Sequence, residues 1–312
     1  MNPAFSVVVF TTAAGAGQGL VVALAAATLV DVPLAPASLR GGLAVAIVLL
    51  VVGLASSFLH LGRPARAWRA WSMWRTSWLS REVIVLPAFI ALVALWWLAA
   101  GDARAARAAA APLALAAIAV SALLWVCTAM IYACLRFIEE WAQPLTIVNF
   151  VLLGLASGLV LAGALAALAE ERTAFAAALP AALVATVAAG ACRVATLVRN
   201  AAIRHRSTLA TATGIVATRL AQTSMGMSAG SFNTREFFHR ASAAALRAIK
   251  LAAVALAFVV PTIVLALVWA QALPAAACTV VALVQAGGLL ADRWLFFAQA
   301  KHPQNLYYQV VS

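Results

Sequence analysis

Charged side chains are scarce in this sequence. They make up 10% of the 312 residues, against 66% hydrophobic, and mean hydropathy is +1.02; soluble domains run about 25% charged and 45–50% apolar. So large an apolar excess cannot be hidden in one core of this length, which excludes a water-soluble globular protein and a disordered one. Cysteine is rare as well: Cys127, Cys134, Cys192 and Cys278 all lie in apolar runs, and no pair has the two-residue spacing of thiolate clusters. Neither a disulfide nor an iron-sulfur cluster is expected in the chain. His60, His205, His239 and His302 are its only histidines. None is paired at the four-residue helical spacing of zinc hydrolases, and only His60 borders a span, so bis-histidine haem is not expected either. The start lacks a basic segment followed by a small-residue cleavage site, so the first apolar run is expected to persist as a helix.

What the sequence has in quantity is long apolar runs. Stretches of about 20 such residues predict membrane spans at 4–30, 41–62, 82–100, 112–136, 145–169, 174–197, 248–271 and 274–298. The expected fold is an all-α integral membrane protein, a bundle of eight transmembrane helices forming a single membrane domain over 1–312. An even number of spans puts both termini on one side. Of the 21 Lys and Arg, only Arg40, Arg104, Arg107 and Arg172 fall on the other side. Under the positive-inside rule the termini are therefore expected to be cytoplasmic. The joints Glu170–Thr173 and Gln271–Pro274 are tight, which predicts antiparallel neighbours, and the Ala-rich stretch at 104–111 reads as helix or linker.

Two segments on the terminal side are long, 63–81 and 199–247, and connections of that length are uncommon unless functional. The second, extended to Lys250, holds Arg199, Arg204, Arg206, Arg219, Arg235, Arg240 and Arg247 against the single acid Glu236. Such a surface attracts an acidic partner or anionic lipid. Nucleic acid is not expected, because no recognition motif accompanies the charge. Glu139 and Glu140, beside Arg136, are expected to form a solvated cluster at the interface.

The sharpest chemical signal is Ser57-Phe58-Leu59-His60-Leu61-Gly62-Arg63-Pro64, followed by Trp68, Trp71, Trp74, Arg75, Trp78, Ser80, Arg81 and Glu82. A histidine closes the second span and a carboxylate opens the third, both at the membrane boundary, with Trp and Arg alternating between them. The plain reading is that Trp and Arg belong at interfaces, His60 reaches water, and Ser80 caps the third helix with Glu82 in its first turn. The functional reading is quinone chemistry, which needs an imidazole-type hydrogen-bonding base, a carboxylate leading to water, and an aromatic pocket open to lipid. Arg63 and Arg75 would then face a quinone oxygen, and Trp74, Trp78 and Tyr132 would wall the ring. Asp292 and Arg293, adjacent in the last span, are expected to pair with other helices, because unpaired charge at that depth is costly. A proton-coupled secondary transporter is the alternative from another class. Such folds usually place ionisable groups near mid-membrane on broken helices, whereas His60 and Glu82 are at the boundary.

Over essentially its whole length the chain resembles the membrane-anchor (DmsC-type) subunits of complex iron-sulfur molybdoenzymes. The resemblance is carried by Phe10-Thr11, by His60-Leu61-Gly62 with Pro64, by Ser80-Arg81-Glu82, and by Gly288-Leu289 leading to Arg293. Trp74 to Glu82, Cys127 to Tyr132, Ser207 to Gly214 and Arg293 to Phe297 look more like the sulfite-oxidising branch than the dimethyl sulfoxide reductase branch. The latter has a much shorter loop between spans six and seven. The resemblance implies a heterotrimer in the bacterial inner membrane, with a molybdopterin catalytic subunit and an iron-sulfur ferredoxin-like subunit docked on the cytoplasmic face. The anchor itself would bind ubiquinone or menaquinone without a redox cofactor of its own. The family's quinol-contacting histidine maps onto His60 and its carboxylate onto Glu82. Quinone would be reduced in the sulfite branch and quinol oxidised in the sulfoxide branch.

Overall fold

The computed structural model describes residues 1–59, 61–217, 219–224, 238–239 and 241–307. Eight helices in it are long and apolar enough to cross a membrane: α1 (Phe5–Leu29), α2 (Pro36–Phe58), α3 (Trp78–Ala99), α4 (Ala103–Ala133), α5 (Pro144–Leu168), α6 (Arg172–Ala201), α7 (Ala243–Trp269) and α8 (Ala277–Ala298). Among the described residues there is no strand. Each expected span is helical, with ends displaced by a few residues. The largest displacement is in α4, which takes in the Ala-rich stretch and starts behind Asp102, whose carboxylate accepts from the backbone of Arg104 and Ala105. The third helix also starts earlier than expected. Its cap is Ser77, whose hydroxyl accepts from the Ser80 backbone at 3.3 Å. Ser80 is therefore not the cap, and Glu82 lies beyond the first turn.

Sequential helices pack against one another, and α1 is the most enclosed, touching α2, α4, α5 and α8. Its composition explains this position. Between Ala13 and Gly19 every residue but Gln18 is Ala or Gly, and small residues let helix backbones approach where hydrophobic burial supplies no drive. Gly19 meets Gly154 and Gly158 of α5, a GxxxG pair, and a Cβ on Gly19 or Gly158 would overlap the opposing backbone. One core joins α1 to α4 around Leu20, Leu43, Phe89 and Trp96. Another joins α5 to α8 around Val160, Leu179, Leu265 and Val281.

The two ends of the bundle differ in construction. At one end the joints are tight: Asp31, Glu170 and Gln271 adopt positive φ. The next N–H in each turns back to a carbonyl five residues earlier, Val32 to Ala27, Glu171 to Ala166 and Ala272 to Leu267. This is the left-handed closure that ends many helices. At the other end, the basic face, lie the long segments and most of the basic residues.

Within α7, residues Ala255–Val259 form a π turn followed by Pro261. Proline has no N–H, so the Ala257 carbonyl four residues back loses its helical partner. Gln285 of α8 replaces it, Nε2 donating to Ala257 O at 3.3 Å. Gly288 allows the approach, since a Cβ there would overlap the Ala257 backbone. Gln285→Leu strands that carbonyl in a water-free environment. The expected loss is about 1–3 kcal/mol, read as lower thermal stability in detergent with α7–α8 the first region to gain hydrogen exchange.

Candidate functional site at the basic face

Between α2 and α3 the alternating Trp/Arg segment folds as a 3-10 helix, Pro64–Met73. His60 lies outside the described residues. On either side of it Leu59 and Leu61 are exposed, as are Arg63, Trp68, Trp71 and Trp74, with Trp78 half-buried. Arg75 is exposed and lies with its guanidinium 5.4 Å from the centre of the Trp74 ring. The segment is fastened by a residue to which the sequence alone assigns no role of its own. Arg81 donates from Nε to Trp74 O and from Nη2 to Arg75 O, both at 2.9 Å, with its guanidinium 4.1 Å from the Trp78 ring centre. Its position seven residues past Trp74, on the first turns of α3, was the available signal.

Glu82 points the other way. It is buried, 4% exposed, and its Oε1 accepts a hydrogen bond from the Thr128 hydroxyl of α4. Thr128 is itself buried beside the buried Cys127. A carboxylate placed at the edge of the apolar slab and held by a neutral donor is an expensive arrangement, and no cation among the described residues is within ion-pair distance of it. One turn further along α4, Tyr132 sits in an aromatic cluster. It stacks on Phe150 at 5.7 Å and meets Trp141, Phe296 and Phe297 edge-on at 5.3–5.5 Å. Of the predicted residues, then, the structure brings Trp74, Arg75 and Trp78 together on the outer side and Glu82 with Thr128 on the inner side. Tyr132 belongs to the interior cluster.

Deeper charges pair across helices. Arg193 of α6 donates from Nε to Asp292 Oδ1 of α8, both residues being almost fully buried. Arg293 lies with its guanidinium 3.8 Å from the centre of the Phe150 ring. This bears out the expectation for Asp292, which pairs with another helix, while Arg293 rests on a ring of α5; the sequence does not single out Arg193 as a partner.

The expected docking residues divide. Arg204 and Arg206 are exposed. Arg199 instead ties α6 to the α4–α5 link, donating from Nη1 to Glu139 O at 2.7 Å and to Asn200 Oδ1 at 3.0 Å. Arg235 lies outside the described residues. Glu140 corrects the sequence-based expectation. It is 5% exposed rather than solvated, because the chain folds over it: His205 Nε2 stands 3.6 Å from Oε1, and the Lys301 backbone donates to Oε2 at 3.4 Å. These residues help to line a cavity of about 650 Å³ that also receives His239 and His302. Burial, with the nearby amino terminus adding to it, holds both imidazoles below their usual range. An unfolded chain takes up those protons first. This face therefore keeps its full stability above about pH 6.5 and loses it as pH falls below that value. Hydrogen-exchange protection factors across residues 298–306, each referred to the intrinsic rate at its own pH, measure the effect, and lower protection at pH 5 than at pH 7.5 is expected. Among the described residues, no group of three His, Cys, Asp or Glu is placed to hold a metal ion.

Eight helices long and apolar enough to cross a membrane, with the basic residues gathered at one end, define the class as a polytopic membrane protein. Residues 1–299 match the family described as DMSO reductase anchor subunit (DmsC), and the chain belongs to that family. It is 44% identical to the C subunit of sulfite dehydrogenase from Allochromatium vinosum over 331 aligned positions that cover the whole of both chains.

Proposed function

We propose that this chain is the quinone-reactive anchor of a three-subunit sulfite-oxidising complex in the bacterial inner membrane. In this reading residues 1–312 form one membrane domain with the basic face cytoplasmic. A molybdopterin subunit oxidises sulfite and an iron-sulfur ferredoxin-like subunit relays the electrons to the anchor, docking on Arg204, Arg206 and Arg235, with Arg199 bracing the end of α6. End-to-end similarity to the C subunit of a sulfite dehydrogenase supports the substrate. The charge asymmetry supports the sidedness.

The observation that carries the quinone assignment is the buried Glu82 carboxylate, held by Thr128 just after an exposed, tryptophan-rich segment in the chain. The donor chemistry of these residues fits a quinone, which when bound supplies a two-electron, two-proton acceptor with a tail soluble in the bilayer. Thr128 fixes Glu82 Oε1, leaving Oε2 to hold or pass a proton. His60, two positions after the end of α2 in the sequence, would offer the imidazole hydrogen bond to a bound ring. Trp74 and Trp78 shield the boundary from water, and Arg63 and Arg75 bias it against cations. Arg81 positions the segment by holding its carbonyls.

Extraction in mild detergent tests the reading. The chain should bring down a large molybdenum polypeptide and an iron-rich one, and the complex should reduce a short-chain ubiquinone with sulfite. Recovery of a lone polypeptide that moves solute into vesicles overturns it. A complex that oxidises quinol with dimethyl sulfoxide and is inert to sulfite transfers the chain to the other branch.

A further inference from the structure

The face opposite the basic one carries a cleft of about 530 Å³ between α1, α2, α5 and α6. Its walls are mostly small and apolar, among them Ala27, Gly41, Ala162, Ala166 and Ala178. Exposed Val30 and Leu168 flank it, so it opens towards lipid. Polarity is confined to one end, where Glu171 bridges two helix starts. Its Oε1 accepts from Ser38 Oγ at 2.7 Å and from the Ala35 backbone at 3.1 Å. Oε2 has no partner among the described residues. Asp31 and Glu170, exposed in the two left-handed turns, stand next in the chain to cleft residues Val30 and Glu171. Among the described residues no Lys or Arg lines the cleft. Arg40 is turned away onto the Trp97 ring, 4.6 Å from its centre, while Arg172 is exposed beside Glu171.

An apolar cleft open to the bilayer is filled by a hydrocarbon chain, and the rim decides which headgroup accompanies it. A carboxylate with a free oxygen, flanked by two more acids and one arginine, complements a zwitterion: ammonium against Glu171, phosphate against Arg172. It repels a purely anionic headgroup. A quinone ring has no ammonium for Glu171. Moreover, Ser38 at this end and Phe58 at the other are about 30 Å apart along α2 at 1.5 Å per residue, which separates the cleft from the Glu82 boundary. We propose that this cleft is a binding site for a phosphatidylethanolamine molecule of the leaflet opposite the basic face.

The test is native mass spectrometry of the intact complex, exchanged into micelles doped with phosphatidylethanolamine or phosphatidylglycerol of identical chains. One retained phosphatidylethanolamine, preferred several-fold, is the expected result. Glu171→Gln keeps an acceptor for Ser38 but removes the charge, and should abolish the preference. Gly41→Leu fills the cleft, since a Cβ there meets nothing within 4 Å, and should eliminate retention altogether while leaving quinone turnover unchanged. Equal retention of phosphatidylglycerol, undiminished retention by Gly41→Leu, or a co-purifying quinone in place of the phospholipid lost with Gly41→Leu overturns the proposal.

Discussion

Glu82→Gln, assembled with its partner subunits, is expected to lower sulfite-dependent quinone reduction by about 10²–10⁴-fold, the range for loss of a positioned proton-transfer group. Reduction of a soluble dye by the partner subunits should stay at the wild-type rate. The substitution is close to isosteric, and Gln can still accept from Thr128 at the position that Glu82 Oε1 occupies, so the helix contact survives and only the exchangeable proton is lost. Ser77, not Glu82 or Ser80, caps α3, so failure of the complex to assemble is not expected. His60→Ala should lose quinone reduction to a similar degree by removing the hydrogen-bonding base, again with dye reduction intact. Thr128→Val is the graded control. It leaves Glu82 in place without its donor and should slow turnover with a changed pH profile, whereas a purely structural role for Thr128 would alter stability alone. Unchanged quinone rates in Glu82→Gln and His60→Ala would remove both residues from the mechanism.

Much of the fold is legible in the sequence because lipid imposes a single strong rule: every span must be apolar and helical. Periodicity matters little, and run length alone locates all eight helices. The boundaries are less legible where polar residues enter the slab. By run length Trp78, Ser80, Arg81 and Glu82 precede or open the third span, but Ser77 caps it and all four lie inside α3. That shift changes the roles. It places Glu82 on the face towards α4 and frees Arg81 to reach back to the carbonyls of Trp74 and Arg75. Pairings between distant helices are not legible at all. Thr128 for Glu82 and Arg193 for Asp292 depend on how residues 46 and 99 positions apart are brought together by helix packing, and one sequence carries no record of that. The Gly154–Gly158 spacing is a visible signal for the α1–α5 crossing, and Pro261 is one for a helix irregularity needing an outside donor. Glu140 escapes a sequence-based assignment because its burial comes from His205 and Lys301, which fold over it from remote segments.

The interior charges of α6 and α8 give a second large expected effect, with an order that tests the packing directly. Arg193 and Asp292 form a buried pair, and Arg293 is the next residue along α8, its guanidinium over Phe150. Removing one partner of a buried pair typically costs about 3–5 kcal/mol, because the other charge stays buried without compensation. The two removals are not equivalent. Arg193→Leu leaves a carboxylate that can take up a proton and still has Arg293 beside it. Asp292→Leu leaves two buried guanidiniums, Arg193 and Arg293, that remain protonated in proteins and have lost their shared acid. Asp292→Leu should therefore be the more destabilising, at or above the top of that range, and Arg193→Leu nearer the bottom. Replacing both by Leu removes the pair together and should recover much of the loss. Arg293 then remains held by the Phe150 face, with no acidic neighbour next to it in the chain. Thermal unfolding of the purified complex in one detergent, read for all three variants, gives the order. Equal effects of the two single variants, or a double variant worse than either, would mean that the pair does not carry the α6–α8 contact.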